Sequence, residues 1–167
     1  IDTIRQAVTA SLVTALLLLT APSLATSENN MVDNFCDASL NKYGYARQFV
    51  DDTVAGGKTQ ASQALKNCKL QVSGNILPPR GQPGWASTVL LLSEIGQALD
   101  ASAYEGVRLV VKIKQGNLSL SANSIEVDNF DYHAAPIVVK NDGHFHEIKV
   151  PFATLKRTWS AQTPLNT

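Results

Sequence analysis

Beyond residue 25 the apolar and polar positions alternate over short stretches punctuated by Gly, Pro, Asn and Asp, with no long stretch at the helical period. The clearest stretch is 107–114. There Val107, Leu109, Val111 and Ile113 share one side of a strand, and Arg108, Lys112 and Lys114 share the other. One side is therefore core and the other faces water. The turn Gln115-Gly116-Asn117 leads into 118–122, where Leu118, Leu120 and Ala122 alternate with Ser119 and Ser121, so the two segments are expected to form an antiparallel hairpin. Further strands are expected at 32–35, 59–65, 69–73, 86–92, 132–139 and 146–150, with Asn141-Asp142-Gly143 as a turn before the last. Short helical turns are expected over 153–156, after Pro151-Phe152, and near 96–99. Roughly eight or nine short strands without intervening helices imply an all-β chain of two antiparallel sheets packed face to face. A closed barrel shares the same periodicity and is the alternative.

The amino-terminal segment has a different pattern. Arg5 precedes an apolar run at 7–19, followed by Pro22 and the small residues Ser23, Ala25, Thr26 and Ser27. The run is shorter than the ~20 residues of a bilayer span and reads as a secretory signal peptide over 1–25, leaving a domain at 26–167. The expectation is an exported chain, periplasmic or extracellular, with no membrane span after cleavage. In an oxidising compartment the two cysteines, Cys36 and Cys68, are expected to form a disulfide, two buried thiols being the alternative. Lys plus Arg is 14 and Asp plus Glu is 14, so no global positive field exists to gather nucleic acid.

The inventory for catalysis is thin. Neither a Gly-x-Ser-x-Gly elbow nor a His-Glu-x-x-His helix occurs, and Ala55-Gly56-Gly57-Lys58-Thr59 lacks the spacing of a phosphate loop. Glu94, Glu105, Glu126 and Glu147 supply carboxylates for a glycosidase pair, but nothing places two across a bond. His144 and His146, with His133 or Asp131, could ligate zinc, and Asp51 with Asp52 could supply oxygens to calcium. Solvated histidines beside a turn, and aspartates capping the turn into Gly56-Gly57, explain those patterns more simply. The expectation is a protein that is no enzyme and has neither metal nor cofactor. A binding face fits better. Arg108 and Lys112 project outward, Ser119 and Ser121 are expected beside them, and strand parity sets Phe145 with Glu147 and Lys149 opposite Ile148 and Val150. Phe145, Trp159, Tyr132 and Trp85 are candidate aromatic platforms, and the ligand is a protein partner or a glycan.

Three segments carry a resemblance when taken in order. They are the run from Asp51-Asp52 through Gly56-Gly57 to Thr59, then Tyr104-Glu105-Gly106-Val107-Arg108, then Val150-Pro151-Phe152. Over about 32–159 the chain resembles the complex I intermediate-associated protein 30 family, although Ala55 stands where the family usually has Met and no Trp lies near Phe145. The resemblance implies a galactose-binding-domain-like jelly roll, a non-catalytic module that holds a protein partner or assembly intermediate, and a carboxyl-terminal end short of the family's last strand or strands. A carbohydrate-binding module is the alternative, because that fold is shared with several of them.

Overall fold

A computed structural model of the chain describes residues 30–77 and 83–167, so the expected signal peptide lies outside the described residues. The described part is all-β. Its strands are β1 (Gln48–Asp51), β2 (Gln60–Leu65), β3 (Leu70–Asn75), β4 (Ala86–Val89), β5 (Gly106–Val111), β6 (Leu118–Ala122), β7 (His133–Ile137), β8 (His146–Pro151) and β9 (Lys156–Arg157). Two 3-10 turns, Asp52–Ala55 and Phe152–Thr154, interrupt them. Every pairing is antiparallel: β1 with β4, β2 with β3, β5 with β8, and β7 with both β6 and β9.

The period-two alternation decides which faces meet. In β5 the inward Leu109, and in β8 the inward Ile148 and Val150, pack with Leu120 and Ala122 of β6 and Ala135 of β7. Leu155 (2% exposed), Phe152 and Leu165 close the same cluster. The β5–β8 ladder and the β6–β7–β9 sheet therefore face each other across one apolar layer, which is the sandwich arrangement. β7 is the most enclosed strand, with His133, Ala135 and Ile137 all buried. The expected jelly roll is a finer statement than these pairings establish, since the described strands form three two-stranded ladders and one three-stranded sheet.

Several local expectations need correction. Residues 107–114 and 118–122 do not form a hairpin: β5 pairs with β8, and β6 pairs with β7. The Gly116 turn carries the chain from one layer to the other, and a turn signal of that kind is the same whether the chain folds back or crosses over. Residues 32–35 form no strand. There the Asp33 carboxylate accepts the Phe35 N–H (2.7 Å) and the Asn34 side chain accepts the Cys36 N–H (3.1 Å), local bonds that compete with a ladder. The Asp33 carboxylate also meets Arg47 at 2.6 Å, with both side chains only 3% exposed. Near 96–99 there is only a turn closed by Gln97 N–H donating to the Glu94 carbonyl (2.9 Å), whereas the turn expected after Pro151 is present as Phe152–Thr154.

Cys36 and Cys68 are bridged. Cys68 and Asn67 are the two central residues of the β2–β3 turn, both with positive φ (53 and 52°), and Lys66 and Lys69 exchange backbone hydrogen bonds across it. That is the backbone of a two-residue hairpin turn, with Cys68 in a position where a side chain is disfavoured. The bridge ties the hairpin tip to the loop before β1.

Candidate functional site

The outward face of the β5–β8 ladder collects the groups that a binding surface needs. Arg108 and Val110 project from β5 and Lys149 and Glu147 from β8, in register as Arg108 opposite Lys149 and Val110 opposite Glu147. One step further along the ladder come Lys112 and Phe145. Phe145 is 46% exposed, and the Lys112 ammonium stands over its ring, 5.0 Å from the centroid. A second ammonium, from Lys69 just after the β2–β3 turn, stands 5.4 Å from the same centroid. Both distances lie within the range of cation–π attraction. Arg108 Nη1 donates to Glu147 Oε2 at 3.0 Å, but with both side chains about half exposed such a pair is worth only about 0–1 kcal/mol. At the rim, the His146 ring nitrogen (2.8 Å) and the His144 N–H (3.0 Å) bond to Asp142 and hold its carboxyl below the ordinary value.

Of the residues expected to form the face, Arg108, Lys112, Phe145, Glu147 and Lys149 are together, whereas Ser119, Ser121 and Trp159 are not. Ser119 and Ser121 lie on β6 and alternate with the inward Leu120 and Ala122, so they point away from the core on the opposite layer. Trp159, 60% exposed, follows β9. It stands at a junction where Thr158 N–H donates to the Tyr132 carbonyl (3.1 Å) and Ser160 N–H to Asp131 Oδ2 (3.0 Å). Phe130, 95% exposed with φ 63°, flanks the same junction on the other side. The sequence reading missed both Phe130 and Lys69. A lone Phe between Asn129 and Asp131 resembles a buried strand residue, and no local signal places Lys69 beside a ring on a distant strand.

The motif residues prove to be framework. Asp51 Oδ1 caps the first 3-10 turn by accepting the Thr53 N–H (3.0 Å), and the turn closes at Gly56. Asp52 is 1% exposed and accepts from Thr59 Oγ1 (2.7 Å), Thr59 N–H (3.0 Å) and Trp85 N–H (3.3 Å), so one side chain joins the starts of β2 and β4 to the end of β1. Burial pushes its carboxyl up, but these donors outweigh it and the group sits below its ordinary value. Its oxygens are thus used by protein donors, and Gly57 is needed because any Cβ there would fall 2.2 Å from Asp52 Oδ1. Gly106 has a similar role: a Cβ would lie 2.3 Å from the Val150 carbonyl oxygen. Tyr104, 40% exposed, turns into β5, while Pro151 ends β8 and Phe152 donates its N–H to the Glu105 carbonyl (2.9 Å). Gly106 and the Phe152–Glu105 bond thus hold β5 close against the end of β8.

The histidines considered for zinc are dispersed in role. His133 is fully buried with Nε2 2.9 Å from the Thr163 carbonyl, and His146 pairs with Asp142. No group of three metal-binding side chains occurs among the described residues, and no helix among them is long and apolar enough to cross a membrane.

The family model of Complex I intermediate-associated protein 30 matches residues 40–166, a span that includes every framework residue just described from Asp51 to Phe152. No curated protein and no solved structure matches the chain. With well over half of its length matched, and with the Asp-Asp, Gly-Gly, Tyr-x-Gly and Val-Pro-Phe segments serving as joints between strands, the chain belongs to the complex I intermediate-associated protein 30 family.

Proposed function

We propose that this domain is a non-catalytic module, exported from the cytoplasm, that holds a protein partner or assembly intermediate on the outward face of β5 and β8. The observation that carries the reading is Phe145. It is a large ring left 46% exposed just before β8, at the end of a ladder in which every residue from Gly106 to Val111 is paired, and rigid aromatic anchors of this kind dominate binding energies. Family membership supports an assembly-related role, and the bridged Cys36–Cys68 pair, with the apolar run at 7–19, supports an oxidising compartment. The most enclosed carboxylates, those of Asp52 and Asp131, are occupied by framework donors, which favours holding over chemistry. Carbohydrate binding is the weaker reading, because a ring over which two ammonium groups already stand offers a sugar's C–H face less than a bare ring would.

The test is capture by the mature domain of membrane-complex subassemblies from solubilised envelope, with bound subunits identified by mass. Phe145→Ala is expected to weaken capture by about thirtyfold, the effect of losing an anchor worth about 2 kcal/mol. Unchanged capture would remove the face from consideration. Saturable binding to a neutral polysaccharide, lost in the same variant, would replace the partner reading with the carbohydrate one.

A further inference from the structure

Resting on that reading, we infer that the occupant of the face is an extended, acidic segment of a protein partner, held by Lys69, Lys112 and Lys149 around Phe145 and Val110. Four cations and one carboxylate line the strip, and Arg108 takes the carboxylate of Glu147. Lys69, Lys112 and Lys149 are in no ion pair among the described residues. This excess is local, because the whole chain carries equal numbers of acidic and basic side chains. Arg108 directly opposite Lys149 is a like-charge cross-strand pair, an arrangement that costs stability in the free domain and is relieved when a carboxylate settles between them.

The spacing suits an extended peptide. Outward positions of β5 recur every second residue, about 6.6–6.8 Å apart, and an extended segment repeats its own side chains at the same interval. Carboxylates two such steps apart reach Lys149 at one end and the Lys112–Lys69 pair at the other. An apolar side chain between them falls on Val110, 57% exposed, and Phe145. The apolar part favours a peptide over an acidic polysaccharide or a nucleic acid, which supply charge but no side chain for Val110.

The probe is a short capped peptide whose same-face positions i, i+2 and i+4 read Glu, Leu, Glu, with Ser at the positions between, titrated against the oxidised mature domain by fluorescence anisotropy. Versions with Gln or Lys in place of Glu, an oligogalacturonate and a uridine oligonucleotide serve as comparators. The Glu peptide is expected to bind and to weaken steeply as salt rises through the physiological range. Lys69→Glu with Lys112→Glu is expected to weaken it by about tenfold or more and to create affinity for the Lys peptide. Lys149→Glu, at the other end of the strip, should act in the same direction. All three positions are exposed, so a urea midpoint no lower than that of the wild type verifies that each variant is folded. Equal binding of the Gln peptide, absence of charge-swap rescue, or tighter binding of the oligogalacturonate or the oligonucleotide would overturn the inference. Capture of assembly intermediates that depends on Phe145 but ignores both charge reversals would leave the holding module standing and remove the acidic occupant alone.

Discussion

Replacing Arg157 with Met is expected to destabilise the domain by about 3–5 kcal/mol, because it strips the counterion from a carboxylate that cannot reach water. The side chain of Asp131 is 0% exposed and that of Arg157 is 9% exposed, with Nε donating to Oδ2 at 3.0 Å. Four further donors converge on Asp131: the Ser160 hydroxyl (2.6 Å) and N–H (3.0 Å), the Tyr132 N–H (2.8 Å) and the Thr158 N–H (3.1 Å). Arg157 also reaches Asn129 Oδ1, Ser160 Oγ and Thr163 Oγ1. Removing the guanidinium therefore leaves a buried anion and frees the segment that carries Trp159. Against a typical total stability of about 5–15 kcal/mol, the melting temperature should fall by more than about 10 °C. Arg157→Lys should recover only part of this, since an ammonium lacks the planar fork. Adding Asp131→Asn to Arg157→Met should cost little more, because the uncompensated charge is then gone. A urea midpoint that Arg157→Met leaves unmoved would show that the pair contributes nothing.

The same carboxylate gives the domain an acid limb. Burial pushes the Asp131 carboxyl up, but the Ser160, Arg157 and Tyr132 donors outweigh it and hold the group far below the ordinary carboxylate range. A group lowered in the folded state contributes fully above its unfolded value and loses that contribution as pH falls toward the folded one. Asp52 and Glu126 are lowered as well, in each case by donors that outweigh burial. Urea midpoints should therefore be level near neutrality and fall below about pH 4, and Arg157→Met should flatten that fall. A midpoint that rises on acidification would contradict the sign.

Which of this was legible beforehand depends on how local each signal is. β5 and β8 could be read because one side of each strand is wet, so Val107 and Leu109 flank Arg108, and Ile148 and Val150 alternate with Glu147 and Lys149, Val110 being the one apolar residue on the wet side of β5. Strand parity then places Phe145 with Glu147 and Lys149 without any knowledge of the sheet. The pairing of β5 was not legible, because Gln115-Gly116-Asn117 is an equally good turn for a hairpin and for a crossing between layers. That ambiguity placed Ser119 and Ser121 beside Arg108, when they lie on the other outer surface. Asp131 and Arg157, separated in the sequence by all of β7 and β8, look like two surface charges, and only the fold shows them enclosed. Asp52 was read as a turn residue, and its burial follows from a feature the sequence does display, the Gly57 that leaves room for its carboxylate. Lys69 was invisible as a site residue because its place beside Phe145 depends on where the β2–β3 hairpin tip is held.

Holding that tip is the work of the disulfide, and reducing it is expected to cost about 4 kcal/mol on chain-entropy grounds for cysteines 32 positions apart. The closed loop contains Arg47 with the Asp37 and Leu40 carbonyls to which it donates, all of β1, and the Asp52 joint. Cutting the bridge lets the unfolded chain expand while removing the constraint that keeps Cys68 and Asn67 in left-handed backbone. Both cysteines are exposed, so a small reductant can reach them in the folded protein. The Cys36→Ser, Cys68→Ser double variant should match the reduced wild type in its urea midpoint, and reductant should then have no effect on it. Lys69 follows Cys68 directly, so affinity for the Glu-Leu peptide should fall along with stability, whereas Lys112 and Lys149, carried by the β5–β8 ladder, keep a residual salt-dependent affinity. If reduction leaves both midpoint and affinity unchanged, the turn holds its shape through the Lys66–Lys69 backbone bonds alone, and the bridge adds nothing to the face.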